Sequence, residues 1–97
     1  MTDNRIKTIA DHYGPSIQLL QCASELNELG AEVTRLRLAK DTGNSLKALA
    51  ILPNLVEELA DVEIMCEQIK YLFAFDKAVE AAREYKINRQ LERMGKE

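Results

Sequence analysis

Apolar residues recur every three or four positions in two long segments of the chain, one from Ser16 to about Lys40 and one from Asn54 to about Phe75. This spacing places residues on one side of an α-helix, whereas strict alternation of apolar and polar residues would indicate a strand. No segment shows such alternation. The pattern therefore predicts two long amphipathic helices and no sheet.

Each predicted long helix has a broad apolar stripe that we expect to form the core. In the first helix the stripe consists of Leu19, Cys22, Ala23, Leu26, Leu29, Val33 and Leu36. In the second helix it consists of Leu55, Leu59, Val62, Cys66, Ile69 and Phe73. A smaller apolar patch on another side of the second helix consists of Ile64, Tyr71 and Phe75. Two apolar sides on one helix indicate two packing partners.

Helix-breaking residues set the predicted ends of the first helices. Gly14-Pro15 separates a short helix, about Asp3 to His12, from the first long helix. The polar residues 41–45 end that long helix. Ser45 is expected to cap a further short helix that ends at Leu52.

The second half of the chain has two more boundaries. Pro53 predicts a break or kink, because proline lacks the N–H group that a helix interior requires. Asn54 and Glu57 are spaced as a capping pair at the start of the second long helix, and Asp76 is expected to cap a last helix that runs to about Met94. The chain is thus predicted to be an all-α bundle of about four helices.

Length and composition indicate one folded domain, residues 1–97, that gains stability from association. With 97 residues a single core leaves little stability to spare, so we expect a homodimer or homotetramer to complete the bundle. The net charge of -3 argues against a partner that is a nucleic acid polymer. No apolar run approaches the about 20 residues of a membrane span, and the polar N-terminus does not resemble a signal peptide, so no membrane partner is expected. Cys22 and Cys66 match no zinc-binding spacing, and two reduced thiols predict a cytoplasmic protein.

Two carboxylates in the second long helix lie within or beside its apolar stripe and not on the polar face where solvated side chains are expected. Counted from Leu55 on a helical wheel, Glu58 falls at about 300°, within the arc of the apolar stripe, and Asp61 falls beside it at about 240°. No lysine or arginine stands three or four residues from either carboxylate. A local salt bridge therefore does not neutralise them.

The first long helix repeats this arrangement, because Glu25, Glu28 and Glu32 form an acidic strip beside its apolar stripe. If the two stripes pack as antiparallel helices, Glu25 and Glu28 lie opposite Glu58 and Asp61. Carboxylates that face one another repel unless their pKa values shift or a cation binds. Oxygen ligands alone favour a hard cation such as Mg²⁺, which keeps positions for water and phosphate oxygens.

The sequence around these acids resembles a known family. The run from Gln18 to Leu29, with Glu25 and Glu28, and the later run from Glu57 to Met65 resemble the EExxE…ExxD signature of MazG-like pyrophosphohydrolases. The ending from Tyr85 to Met94 is also similar to that family, so the likeness extends over nearly the whole chain.

This resemblance implies a helical dimer, or a dimer of dimers, that hydrolyses nucleoside or deoxynucleoside triphosphates to the monophosphate and pyrophosphate. It implies Mg²⁺ as the cofactor, with Mn²⁺ as an alternative ion. Short stand-alone members of the family are often carried by phages and their bacterial hosts, and the chain is most similar to those.

The resemblance also implies roles for individual residues. Its catalytic and metal-binding carboxylates are Glu25, Glu28, Glu58 and Asp61. Ser24 stands where the first motif has its first glutamate. The polar residues implied to hold the phosphates or sugar of the substrate are Lys86, Asn88 and Arg89.

Two other interpretations stay open at this point. The chain could be a helical dimer that binds a nucleotide or a protein partner without catalysis, with Ser24 as a sign of lost activity. It could also be a structural bundle without a metal, in which each acidic pair belongs to an ordinary helix surface.

Overall fold

A computed structural model describes residues 2–97 and contains four helices: α1 (Asn4–Tyr13), α2 (Pro15–Asp41), α3 (Ser45–Leu72) and α4 (Asp76–Lys96). No strand occurs within residues 2–97. The predicted all-α fold with about four helices is therefore confirmed.

The first two helices meet at a sharp corner between Tyr13 and Pro15. Gly14 has a φ of 84°, a conformation that residues with a Cβ atom rarely adopt. Pro15 occupies the start of α2, where the missing N–H group costs no helical hydrogen bond. The predicted boundary at Gly14-Pro15 is confirmed.

Helix α3 differs from its prediction, because it runs through Pro53 without ending. The predicted short helix from Ser45 to Leu52 and the new start at Asn54 are therefore wrong. The residue that caps α3 is Asn44, whose side chain accepts a hydrogen bond from the backbone N–H of Lys47. A proline inside a helix costs about 3 kcal/mol, and packing of α3 against α2 on both sides of Pro53 offsets that cost.

Helix α4 also begins differently from its prediction. Asp76 lies inside the first turn of the helix. The N-cap position is occupied by Phe75, whose side chain forms no capping hydrogen bond. The predicted Asp76 cap is therefore wrong, although a carboxylate in the first turn still stabilises the positive end of the helix dipole.

Helices α2 and α3 form a long antiparallel hairpin, and the seam between them holds most of the buried surface. The buried and half-buried seam residues of α2 are Gln18, Cys22, Glu25, Leu29, Glu32, Leu36 and Ala39. Those of α3 are Ala48, Ile51, Leu55, Glu58, Val62, Met65 and, toward its C-terminal end, Gln68, Ile69 and Leu72. Alternating steps of three and four residues are the spacing of coiled-coil packing.

This seam is rotated away from the predicted core stripes. Leu19, Leu26 and Val33 in α2 are exposed, and so are Leu59 in α3 and Phe73, the residue directly after α3. The prediction that the broad stripes form the core is therefore wrong for their outer edges. A helix hairpin buries only a narrow line of residues on each helix, so a wider stripe cannot face a single partner.

Helix α1 packs mainly on α3, near the open end of the hairpin. Ala10 is fully buried in that contact. The Tyr71 hydroxyl donates to the Asp11 carboxylate at 2.8 Å, and the Lys7 ammonium lies 5.7 Å from the centroid of the Tyr71 ring. These polar contacts fix α1 on one side of α3.

Helix α4 has no buried residue and contacts α3 alone among the described helices. Its apolar side chains Val79, Ile87, Leu91 and Met94 are exposed. Within residues 2–97, none of the helices has a segment long and apolar enough to cross a membrane.

Candidate metal centre

Three carboxylates converge in the middle of the α2–α3 seam. Glu25 comes from α2, and Glu58 and Asp61 come from adjacent turns of α3. One oxygen atom from each of the three lies within 4.8 Å of the other two. The structure thus brings together three of the four predicted metal-binding residues across the hairpin.

The register of the hairpin explains this meeting. Gln18 and Gln68 contact each other near the open end of the seam. Glu25 lies seven residues after Gln18 in α2, and Asp61 lies seven residues before Gln68 in α3, so both lie two turns closer to the loop. Glu58 lies one turn closer to the loop than Asp61, on the same side of α3. The seam therefore places a short acidic segment between amide and apolar segments.

The fourth predicted carboxylate, Glu28, lies at the exposed rim of the same cluster. Its charge is close enough to raise the pKa of both Glu25 and Glu58. Glu32, the third acid of the strip in α2, differs because it forms a salt bridge with Arg35. Glu32 is thus neutralised locally, and Glu28 remains as the additional carboxylate of the cluster.

Two oxygen atoms in the cluster are buried and have no hydrogen-bond partner: Oε2 of Glu25 and Oε2 of Glu58. The other oxygen of Glu25 accepts a hydrogen bond of 2.8 Å from Nε2 of Gln21. Buried polar atoms in proteins almost always have a partner, so two orphaned carboxylate oxygens in one place require an explanation.

The electrostatics of the cluster disfavour its charged form. Burial raises the pKa of Glu58, and the neighbouring charges of Glu28, Glu25 and Asp61 raise it further. Burial also raises the pKa of Glu25, assisted by Glu28 and Asp61 and opposed by the hydrogen bond from Gln21. Without a cation, the seam holds like charges at close range.

A divalent cation fits this arrangement. The donors are all carboxylate oxygens, which suit Mg²⁺ or Mn²⁺ and not softer metals. The buried, partnerless oxygens of Glu25 and Glu58 would become its ligands, together with an oxygen of Asp61. Glu28, at the rim, could contact the ion or a water bound to it.

The predicted substrate-binding residues Lys86, Asn88 and Arg89 lie elsewhere in the single chain. All three are exposed on α4, whose backbone does not pack closely against that of α2. The Arg89 guanidinium instead lies 5.7 Å from the ring centroid of Tyr85 on the same helix. One chain by itself therefore does not bring these three side chains to the carboxylates.

Sequence reasoning missed two polar residues of the seam, Gln18 and Gln68. Both are buried, and Nε2 of Gln18 donates to Oε1 of Gln68 at 2.6 Å. The available signal was their spacing of seven residues from Glu25 and Asp61, which places all four on the same seam. Ser24, by contrast, lies outside the seam and is exposed.

No protein-family model, curated protein or solved structure matches this chain. Membership of the MazG-like family therefore stays a prediction based on the two acidic motifs and the helical ending.

Proposed function

We propose that the chain is a Mg²⁺-dependent hydrolase that converts nucleoside or deoxynucleoside triphosphates to the monophosphate and pyrophosphate. One observation carries the proposal: three carboxylate oxygens of Glu25, Glu58 and Asp61 converge across the α2–α3 seam, and two of these side chains have a buried, partnerless oxygen. The motif resemblance to MazG-like enzymes supplies the choice of substrate.

The role proposed for the carboxylates follows from their positions. Glu25 and Glu58 hold the ion from inside the seam, and Asp61 completes the set from the next turn of α3. When bound, Mg²⁺ neutralises charge on the triphosphate and orients a water molecule. Because the ion keeps several coordination positions for water and phosphate, three or four protein carboxylates leave room for the substrate.

The proposed reaction is attack of water on the α-phosphorus. The bond from that phosphorus to the oxygen bridging to the β-phosphate breaks, and pyrophosphate leaves. A carboxylate has to accept the proton of the attacking water. Glu28 suits that task because it lies at the rim of the cluster and is exposed, whereas Glu25 and Glu58 point into the seam.

Lys86, Asn88 and Arg89 are proposed to bind substrate phosphates or sugar only in an oligomer. Their helix lies apart from the carboxylates within one chain. A dimer or tetramer offers each acidic cluster the α4 of another subunit, and cationic side chains near phosphate oxygens form charge-assisted hydrogen bonds. Substitution of Arg89 by Ala should then raise KM more than it lowers kcat.

The experiment that tests the function measures pyrophosphate release from a panel of nucleoside and deoxynucleoside triphosphates with Mg²⁺. We expect release by the native chain, loss of release with a chelator, and loss in the Glu58→Gln variant. Glu57→Gln is the matched control, because Glu57 is the adjacent residue of the same helix but is exposed and outside the cluster.

Two outcomes would contradict the proposal. Equal release by Glu58→Gln and the native chain would place any activity elsewhere. Absence of release from every nucleotide, with circular dichroism showing folded helices, would favour a module that binds a nucleotide or protein without catalysis. A direct Mg²⁺ or Mn²⁺ titration by calorimetry then separates a metal-binding module from a purely structural bundle.

A further inference from the structure

The two oxygen atoms of the Glu25 carboxylate have different surroundings. Oε1 accepts a hydrogen bond of 2.8 Å from Nε2 of Gln21, whereas Oε2 is buried and has no partner. Of the three clustered carboxylates, Glu25 is the one that accepts a hydrogen bond from an amide side chain within residues 2–97. One oxygen of this group is therefore held by the chain, and the other is left for a cation.

The position of Gln21 on α2 explains how the bond forms. Gln21 precedes Glu25 by four residues, so it lies one turn away and about 40° around the helix. Side chains with this spacing are neighbours on a helix surface. Gln21 is exposed, so it approaches from the outer edge of the cluster, whereas Glu25 reaches into the seam.

The hydrogen bond restricts a torsion that has little preference of its own. The last torsion of a glutamate side chain joins a tetrahedral carbon to a planar one, and its profile is broad and roughly two-fold. A carboxylate without an anchor therefore turns over a wide range about that bond. With Oε1 held by the Gln21 amide, the plane of the Glu25 carboxylate is set and Oε2 stays inside the seam.

The absence of charge on the Gln21 amide also matters, as a second glutamate of α2 shows. Glu32 is half-buried in the same seam and forms a salt bridge with Arg35, so its charge is neutralised within the chain. The Gln21 amide is a donor without a charge. It orients Glu25 and leaves the negative charge of that carboxylate for a cation from outside.

The orientation of a ligand matters more for a small ion than for a large one. Mg²⁺ requires nearly ideal octahedral geometry with oxygens at about 2.1 Å, whereas Ca²⁺ accepts flexible geometry with oxygens at about 2.4 Å. A carboxylate whose plane is free to turn therefore satisfies Ca²⁺ more readily than Mg²⁺. Removal of a group that hydrogen-bonds to a metal ligand typically lowers metal affinity by about 10–100-fold.

We propose that Gln21 is a positioning residue of the metal centre, which holds Oε1 of Glu25 so that Oε2 is presented to the ion in the geometry that Mg²⁺ requires. Gln21 thereby favours Mg²⁺ over Ca²⁺ without contacting either ion. This assignment rests on the metal centre of the proposed function, but it concerns ion binding and does not require turnover.

The test compares three substitutions on α2. Gln21→Met keeps the length of the side chain and removes the donor, and Gln21→Lys replaces the neutral donor by a cation. Asn27→Met is the matched control, because Asn27 is exposed and lies about 200° around the helix from Glu25. Circular dichroism should show the helices of all three variants intact, since both substituted positions are exposed.

Calorimetric titration with Mg²⁺ and, separately, with Ca²⁺ gives the ratio of the two Kd values. For Gln21→Met we expect the Kd for Mg²⁺ to rise about tenfold or more and the Kd for Ca²⁺ to rise less than about threefold. Gln21→Lys should raise both Kd values together, because a cation that pairs with Glu25 competes with either ion. Asn27→Met should change neither.

A second readout is the Mg²⁺ dependence of pyrophosphate release. Gln21→Met should need about tenfold more Mg²⁺ than the native chain for half of its maximal rate, and its loss of rate should shrink as Mg²⁺ is raised. A substitution that only destabilised α2 would lower the rate alike at every Mg²⁺ concentration and would leave the ratio of the two Kd values unchanged.

Three results would overturn the assignment. If Gln21→Met binds Mg²⁺ as tightly as the native chain, the seam alone orients Glu25, and the proposed function is untouched. If Gln21→Met weakens Mg²⁺ and Ca²⁺ equally, the amide acts through charge or stability and not through geometry. If the native chain binds neither ion, the metal centre fails and the assignment fails with it. Metal binding without pyrophosphate release, by contrast, contradicts only the catalytic function, and the Kd comparison still decides the role of Gln21.

Discussion

Two pairs of polar side chains face each other across the α2–α3 seam, and only one pair has its hydrogen-bonding groups satisfied within the chain. Gln18 and Gln68 are both buried, and Nε2 of Gln18 donates a hydrogen bond of 2.6 Å to Oε1 of Gln68. Two turns from Gln18 along α2 and about three turns from Gln68 along α3, Glu25 and Glu58 each bury an oxygen that has no partner. An amide carries both donors and acceptors, whereas an ionised carboxylate only accepts. The amide pair is therefore complete within the chain, and the carboxylate pair requires a proton or a cation from outside.

The two pairs also depend on each other through the register of the hairpin. The Gln18–Gln68 contact selects which turn of α2 faces which turn of α3. A shift by one turn would separate Glu25 from Asp61, which lie seven residues from the glutamines on their respective helices. A buried polar pair can fix register in this way even where it adds little net stability.

The largest expected effect is on the amide pair. Substitution of Gln68 by Leu leaves the Gln18 amide buried without its partner, which typically costs about 1–3 kcal/mol. Gln68 also donates to Sδ of Met65 at 3.5 Å, so that contact is lost as well. Urea unfolding followed by circular dichroism should therefore show a lower midpoint than for the native chain.

The control for this prediction is the double variant Gln18→Leu/Gln68→Leu. Replacement of both amides removes the unsatisfied group, so the double variant should recover much of the lost stability. If each single substitution instead costs nothing and the double adds nothing, the amides are solvated in solution. The two polar pairs would then not differ in the way the structure indicates.

The next effect concerns the carboxylate pair and an added metal. Binding of an ion to the folded state alone stabilises it by about 1.4 kcal/mol when the free ion is at ten times its Kd. The melting temperature of the native chain should therefore rise with Mg²⁺ or Mn²⁺. The Glu25→Gln variant should show little of this rise, because it lacks one of the three converging oxygens.

Sodium at matched ionic strength is the control for that measurement, because it screens repulsion without occupying a divalent site. An equal rise with sodium would mean that the cluster responds to screening alone. An equal rise in Glu25→Gln and the native chain would place the bound ion elsewhere on the protein.

Much of the fold could be predicted from the sequence because helix periodicity and breakers are local signals. The Gly14-Pro15 corner and the two long helices belong to this class. Pro53 does not, because its local cost competes with packing of α3 along its whole length against α2. Local sequence rules predict a helix break at Pro53, and only the packing of α3 on α2 keeps the helix continuous there.

For the candidate site, too, the sequence predicted some residues and not others. The angular positions of Glu25, Glu58 and Asp61 were sufficient to predict that they meet across an antiparallel hairpin, and the structure brings their oxygens within 4.8 Å. The broad apolar stripes suggested a seam centred on residues such as Leu26 and Leu59, which are exposed. A stripe wide enough for two partners does not show which edge faces which partner, so the apolar stripes alone did not place Gln18 and Gln68 in the seam.

The smallest expected effect is on the carboxylate pair without metal. With a chelator present, Glu58→Gln should melt slightly higher than the native chain, since it removes one of several like charges and supplies a donor. Burial and the neighbouring carboxylates raise the pKa of Glu58 above its ordinary value of 4.5. A raised pKa in the folded state favours the protonated form, so this contribution to stability is present at low pH and is lost as the pH rises.

The upward shift of the Glu58 pKa determines how the difference in melting temperature between Glu58→Gln and the native chain changes with pH. At a pH below 4.5 the native Glu58 is protonated in both states, and the variant should gain little. As the pH rises through the elevated pKa of the folded state, the native chain loses stability from Glu58 and the variant does not. The difference in melting temperature should therefore grow from pH 4 toward pH 8, whereas Glu57→Gln, on the exposed side of the same turn, should show no such growth. A difference that shrinks with rising pH would mean that the Glu58 carboxylate is stabilised in its charged form, and the contrast with the self-sufficient glutamine pair would no longer hold.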